Sequence, residues 1–155
     1  MKSRFPPYLL VYFLIVTCNN NGTSNTENSA SQTDKTAKNS SVNCYSYANA
    51  NDTITLKLTQ VGESITGTLV YKLYEKDKNM GTIEGRMRGD LFVADYTFMS
   101  EGVTSTRQIA FKKKQNYFVE GYGDIDTNND KVTFKNLDSL QFNDSIKLTE
   151  IECQE

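Results

Sequence analysis

From Val42 onward the chain alternates apolar and polar positions with period two, and turn residues recur about every ten positions. Ile54, Leu56 and Leu58 alternate with Thr55, Lys57 and Thr59, and Gly62-Glu63 turns the chain. Ile65, Gly67, Leu69, Tyr71 and Leu73 follow, then a loop over Glu75–Asn79, then Ile83, Gly85 and Met87. Gly89-Asp90 turns into Phe92, Ala94, Tyr96 and Phe98. After a loop at Ser100–Val103, Arg107, Ile109 and Phe111 share a face, and Lys113–Asn116 turns into Phe118, Glu120 and Tyr122. With a first strand over Val42–Ala48 and a last over Ile146–Cys153, about eight strands are predicted. Helical periodicity competes weakly, around Phe134–Leu140 alone.

The hairpins can be checked against one another, because a slip of one residue turns every side chain to the other face. Pairing about Ser100–Val103 sets Phe92 opposite Phe111, Ala94 opposite Ile109 and Arg107 opposite Tyr96. Pairing about Lys113–Asn116 sets Phe111 opposite Phe118 and Glu120 opposite Ile109, with Tyr122 near Arg107. The apolar faces agree throughout. Eight sequential antiparallel strands close most simply as an all-β up-and-down barrel, which removes sheet edges. A two-sheet β-sandwich is the alternative.

The N-terminal region carries a different pattern. Lys2 and Arg4 precede an apolar run from Tyr8 to Val16, and Thr17 and Cys18 lead into Asn19, Asn20, Asn21, Gly22, Thr23 and Ser24. This is the layout of a secretory signal peptide over residues 1–17. Its apolar centre falls well short of the roughly 20 residues a membrane-spanning helix needs. Leu14-Ile15-Val16-Thr17-Cys18 resembles the lipobox of bacterial lipoproteins, which implies cleavage before Cys18 and acylation of it. Thr17 and Ile15 depart from the usual lipobox residues, and an ordinary signal peptide leaving Cys18 a free thiol is the competing reading. Several acyl chains anchor stably where one is marginal. Residues 18–41 hold no large apolar side chain and cannot offset their ordering entropy, so they read as a lipidated cysteine followed by a flexible linker to a domain over 42–155.

Composition narrows the chemistry. Without Lys2 and Arg4, 15 of the 17 cations remain against 19 acidic residues, which gives no electrostatic case for nucleic acid. The chain holds no histidine, so histidine-activated serine or cysteine nucleophiles are excluded, and the commonest metal ligand is missing. No enzyme activity and no cofactor are expected. Once Cys18 is assigned to lipid, Cys44 and Cys153 are left as a pair, and an exported chain favours their disulfide. In a closed barrel the first and last strands are neighbours, so this bond would staple the seam.

Two constellations stand out. Tyr96, Arg107, Glu120 and Tyr122 point inward in the predicted register. They could form the polar end of a cavity for a small apolar or amphipathic ligand, with Arg107 gripping an anion. Equally, Arg107 and Glu120 could be a structural ion pair. Asp124, Asp126, Asn128 and Asp130 place oxygens at every second residue and resemble the opening of an EF-hand Ca²⁺ loop. Asn129 stands where that loop has glycine and Lys135 where it has a bidentate glutamate, so an ordinary polar loop competes. The run Lys112-Lys113-Lys114 reads as a solvated hairpin tip.

Several strings carry a family likeness: Cys44-Tyr45-Ser46-Tyr47, Ile65-Thr66-Gly67-Thr68-Leu69, Gly81-Thr82-Ile83-Glu84-Gly85, Ala94 through Gly102, and Phe118 through Gly123 with the terminal Cys153. The chain resembles small uncharacterised lipoproteins of flavobacteria and related Bacteroidetes. That resemblance implies a cell-envelope lipoprotein with a lipocalin-like barrel, held to a bacterial membrane, the outer one, by its N-terminal lipid. It brings no reaction and no assigned site. Two functions follow as expectations: a barrel that binds a small molecule near the membrane, or a structural or interaction protein with a filled barrel.

Overall fold

The structure is a computed structural model and describes residues 39–128 and 131–154. The expected signal peptide, Cys18 and all but the last residues of the expected linker lie outside the described residues. The fold is all-β. Ten strands run in chain order: β1 (Ser40–Ala48), β2 (Thr53–Val61), β3 (Ser64–Lys72), β4 (Asn79–Arg88), β5 (Leu91–Ser100), β6 (Val103–Lys113), β7 (Tyr117–Tyr122), β8 (Ile125–Asn128), β9 (Lys131–Phe134) and β10 (Gln141–Ile151). Neighbours follow the order β5-β4-β3-β2-β1-β10-β7-β6, and a β5–β6 pairing closes the ring. The result is an eight-stranded antiparallel barrel, with β8 and β9 as an additional hairpin outside it.

The barrel forms because each strand buries its odd or even set against the same axis. Leu56, Leu69, Phe92, Phe111, Tyr96 and Leu148 are completely buried, and Tyr45, Ile83 and Phe118 nearly so. Tyr45 meets Phe118 edge-on with ring centroids 4.9 Å apart, and Phe118 in turn packs on Phe92 and Phe111. The strands coil tightly enough that glycine is needed inside. A Cβ at Gly67 would overlap the Lys57 carbonyl of the neighbouring strand, so the close backbone approach of β3 to β2 requires glycine there.

The β5–β6 register matches expectation: Phe92 faces Phe111, Ala94 faces Ile109 and Tyr96 faces Arg107. The turn there is tighter than the predicted loop. Ser100 and Val103 pair, and Glu101 and Gly102 alone turn the chain, both with positive φ. The β6–β7 register differs from expectation. Phe111 faces Glu120 and Phe118 faces Lys113, because Lys114 N–H bonds the Tyr117 carbonyl and leaves a turn of Gln115 and Asn116. The offset is two residues, so every side chain keeps its predicted face.

The last strand begins at Gln141, earlier than expected, and carries an irregularity between Phe142 and Lys147. It pairs with β1 through Cys44–Ile151, Tyr45–Glu150 and Ser46–Thr149. Just beyond it, Cys153 is disulfide-bonded to Cys44 with their Cα atoms 5.2 Å apart, within the ordinary range for the bond. The bond therefore clamps the β1–β10 seam. Phe134–Leu140, where a helix competed, holds a single 3₁₀ turn, Leu137–Ser139, started by the Asn136 side chain accepting from Asp138 N–H.

The β8–β9 hairpin lies against the outside of the barrel. β9 pairs parallel with β6 at Thr106 and Arg107, and Phe134 N–H donates to the Gln108 side chain. Lys131 reaches across to Asp95 at 2.7 Å. Val93, Ala110 and Val119, on the outward-facing set of β5, β6 and β7, are buried although they lie outside the main core, as is Leu140. Among the described residues no helix is long and apolar enough to cross a membrane.

Candidate functional site at the Arg107 end of the barrel

Three of the four residues expected to point inward together do so. Tyr96 on β5 is completely buried, and Glu120 on β7 is the one buried charged residue among those described. Arg107 on β6 is half-buried. Tyr122, at the end of β7, is 52% exposed and so is not the inward wall residue expected. Its strand ends there, and the side chain is half open to solvent while its hydroxyl reaches Glu120.

The expected Arg107–Glu120 ion pair is not formed. The ion pairs of the described residues are Lys112–Asp90 and Lys131–Asp95, both at the surface. Glu120 is instead held by two phenols: Tyr71 donates to Oε1 at 2.7 Å and Tyr122 to Oε2 at 3.1 Å. Burial pushes the Glu120 pKa up, against the opposing pull of these hydrogen bonds and of the nearby Arg107 charge. Burial and the adjacent carboxylate hold the Tyr71 and Tyr122 hydroxyls well above their usual range, so both remain proton donors. Tyr96 is raised to about 12, chiefly by burial, and donates to the Leu69 carbonyl.

Arg107 sits among aromatic rings. Its Cζ lies 5.4 Å from the Tyr71 centroid, 5.5 Å from that of Tyr96 and 5.5 Å from that of Phe98. Tyr96 and Phe98 are stacked at 4.8 Å with planes 16° apart, giving one flat wall. Attraction to ring faces offsets part of the desolvation of the guanidinium. Nε is nevertheless shut from solvent without a hydrogen-bond partner, as is Oδ1 of Asn79, which stands opposite Tyr71 on β4. Tyr71, Phe98 and Asn79 escaped the sequence reading. Tyr71 and Phe98 were legible as inward residues, but Asn79 was placed in a loop and no pattern marked the rings as surrounding a cation.

The arrangement offers an oriented guanidinium, a buried carboxyl with two phenol donors and an aromatic wall. Beneath it the barrel is filled. A hollow between Tyr45, Leu58, Ile65, Met87 and Phe118, at the opposite end, amounts to ≈ 70 Å³, below the several hundred that a ligand pocket occupies. Larger open hollows, ≈ 480 and ≈ 470 Å³, lie on the outer wall beside Glu84, one reaching Arg86, Asp95 and Lys131 and the other Lys57 and Thr68.

The described part of the acidic stretch lies in and beside a strand. Asp126 and Asn128 belong to β8 and pair with Thr133 and Lys131, and Asp124 just precedes it. An extended strand differs from the sharply turned loop that an EF-hand uses. Asp130 lies outside the described residues. Among those described, no cluster of three acidic or cysteine side chains is placed to hold a metal. No family model matches the chain, and no curated protein or solved structure matches it either.

Proposed function

We propose that this protein is a lipid-anchored component of a bacterial cell envelope, acylated on Cys18, whose filled barrel works through its outer surface and its ends. The observation that favours a filled barrel over a carrier is the interior itself: Phe92, Phe111, Leu56 and Leu69 are wholly buried and Phe118 is 2% exposed. A small-molecule carrier of this architecture needs a cavity where those side chains stand. The anchor rests on the apolar run Tyr8–Val16 shortly before Cys18 and on the linker-like residues behind it. The Cys44–Cys153 disulfide supports an oxidising compartment, where such bonds persist.

Metabolic labelling with an alkyne fatty acid, followed by membrane fractionation, tests the anchor. The wild-type chain should carry label and sediment with membranes, and Cys18→Ser should lose both. Equal labelling of Cys18→Ser would overturn it.

A further inference from the structure

We propose that Met80 and Met99 form a paired oxidation site on the outer wall of the barrel, which takes up oxygen atoms from a peroxide while the fold stays intact. The reading rests on the barrel alone and does not depend on lipidation.

Met80 on β4 and Met99 on β5 are direct partners across the two strands. The alternation that buries Ile83 and Tyr96 in the core turns both methionines outward. Met80 is 59% exposed and Met99 63%. A single exposed apolar side chain is ordinary. Here two thioethers stand opposite each other, flanked along the same row by Val70 on β3 and Thr104 on β6. Their exposure shows that nothing among the described residues covers them.

Met87 occupies the contrasting environment. It falls on the inward set of β4, is half-buried and packs against the core. With Tyr45 and Phe118 it borders the small hollow at the other end of the barrel. The chain thus holds one methionine in its interior and leaves an adjacent pair open to solvent.

The chemistry follows from that division. Thioether sulfur is soft and polarisable. Its lone pair attacks one peroxide oxygen, the O–O bond breaks, and after proton transfer water leaves. Sulfur loses two electrons, the peroxide gains them, and methionine sulfoxide remains. A sulfoxide disrupts a core because it is polar. Neither Met80 nor Met99 belongs to the core, so at both positions the new oxygen meets water and no packing is lost. At Met87 the same oxygen would be set against apolar side chains, which is costly. Among the described residues no thiol competes for the oxidant, because Cys44 and Cys153 are joined. The pair therefore consumes peroxide without loss of the barrel, and its exposed sulfoxides stay open to enzymatic reduction.

The test exposes the full chain, in a non-ionic detergent, to graded hydrogen peroxide. After quenching and digestion, peptide mapping reads the sulfoxide at Met80, Met87 and Met99 separately. Met80 and Met99 should oxidise within about threefold of each other, and about tenfold or more faster than Met87, which waits on opening of the barrel. Protein oxidised at both exposed positions should melt within about 3 °C of untreated protein. The double variant Met80→Gln with Met99→Gln, which carries the polarity of the sulfoxides, should melt within the same interval. Met87 oxidising as fast as the pair, either partner resisting peroxide as Met87 does, or a barrel that loses its cooperative melt on oxidation of the pair alone would each overturn the proposal.

Discussion

At the scale of single residues, Glu120 carries the least ordinary environment in the molecule. Burial raises its pKa from 4.5, so the folded state holds that proton more tightly than the unfolded chain does. The stability that Glu120 contributes is therefore complete below its unfolded value and is lost as pH rises through the raised folded value. Melting temperatures of wild type and Glu120→Gln between about pH 4 and about pH 8 isolate this group, because the other carboxylates are common to both. Wild type should lose ground to the variant as pH rises. A constant difference would show that Glu120 titrates normally. Gly67 makes a simpler demand. Its substitution by alanine forces the β2 and β3 backbones apart and should cost about 1–3 kcal/mol or more in denaturant unfolding. A neutral Gly67→Ala would mean that the strands cross less closely than described.

These two residues were unequally legible in sequence. Glu120 fell on the inward face by alternation alone, and that placement holds. Its partners did not follow, because a phenol and a guanidinium at the same face compete for one carboxylate, and which of them reaches it depends on side-chain geometry that period-two patterning does not carry. Tyr122 shows the same limit: it keeps the inward phase of Phe118 and Glu120 and its hydroxyl reaches Glu120, yet the strand stops at it and leaves the side chain half exposed.

At the scale of elements, hairpins with strong alternation were readable nearly to the residue. The β5–β6 pairing follows from apolar matching, since Phe92 with Phe111 and Ala94 with Ile109 leave no competing register. The β6–β7 turn was misjudged by two residues because Lys112-Lys113-Lys114-Gln115-Asn116 offers no glycine to locate it, and faces do not distinguish shifts of two. β8 and β9 were missed. Each has four residues, β8 is wholly exposed, and β9 is fixed by pairing outside β6 rather than by its own pattern. The turn that was shortened, Glu101-Gly102, suggests a repair: Glu101 has φ 50°, in the left-handed region. Glu101→Asn creates the Asn-Gly pair such turns prefer and should stabilise the fold by about 1 kcal/mol. A lower melting temperature for that variant would contradict the turn geometry.

At the scale of the whole molecule, closure is the governing fact. The β1–β10 seam pairs through only three residues on each side, and the disulfide beside it joins positions 109 apart in sequence. Restricting the unfolded chain over so long a loop stabilises by about 4–5 kcal/mol on the chain-entropy account. Replacing Cys44 and Cys153 together by alanine should lower the unfolding free energy by about 2–5 kcal/mol, measured by urea titration. Unchanged stability would mean that the seam holds without its clamp. The Cys44–Cys153 pairing on the seam is the one the sequence suggested, and Cys18 lies outside the described residues.

The proposed reading, a filled barrel held by lipid on Cys18, makes a claim about the whole molecule as it leaves the cell. The most direct measurement is the intact mass of the protein extracted from its own membranes. A lipid-held, filled barrel should give a chain beginning at Cys18, bearing a diacylglyceryl group, with Cys44 and Cys153 oxidised and no further mass released on denaturation. A chain that keeps residues 1–17, or begins after them with Cys18 as a free thiol, or releases an apolar small molecule on unfolding, would contradict it.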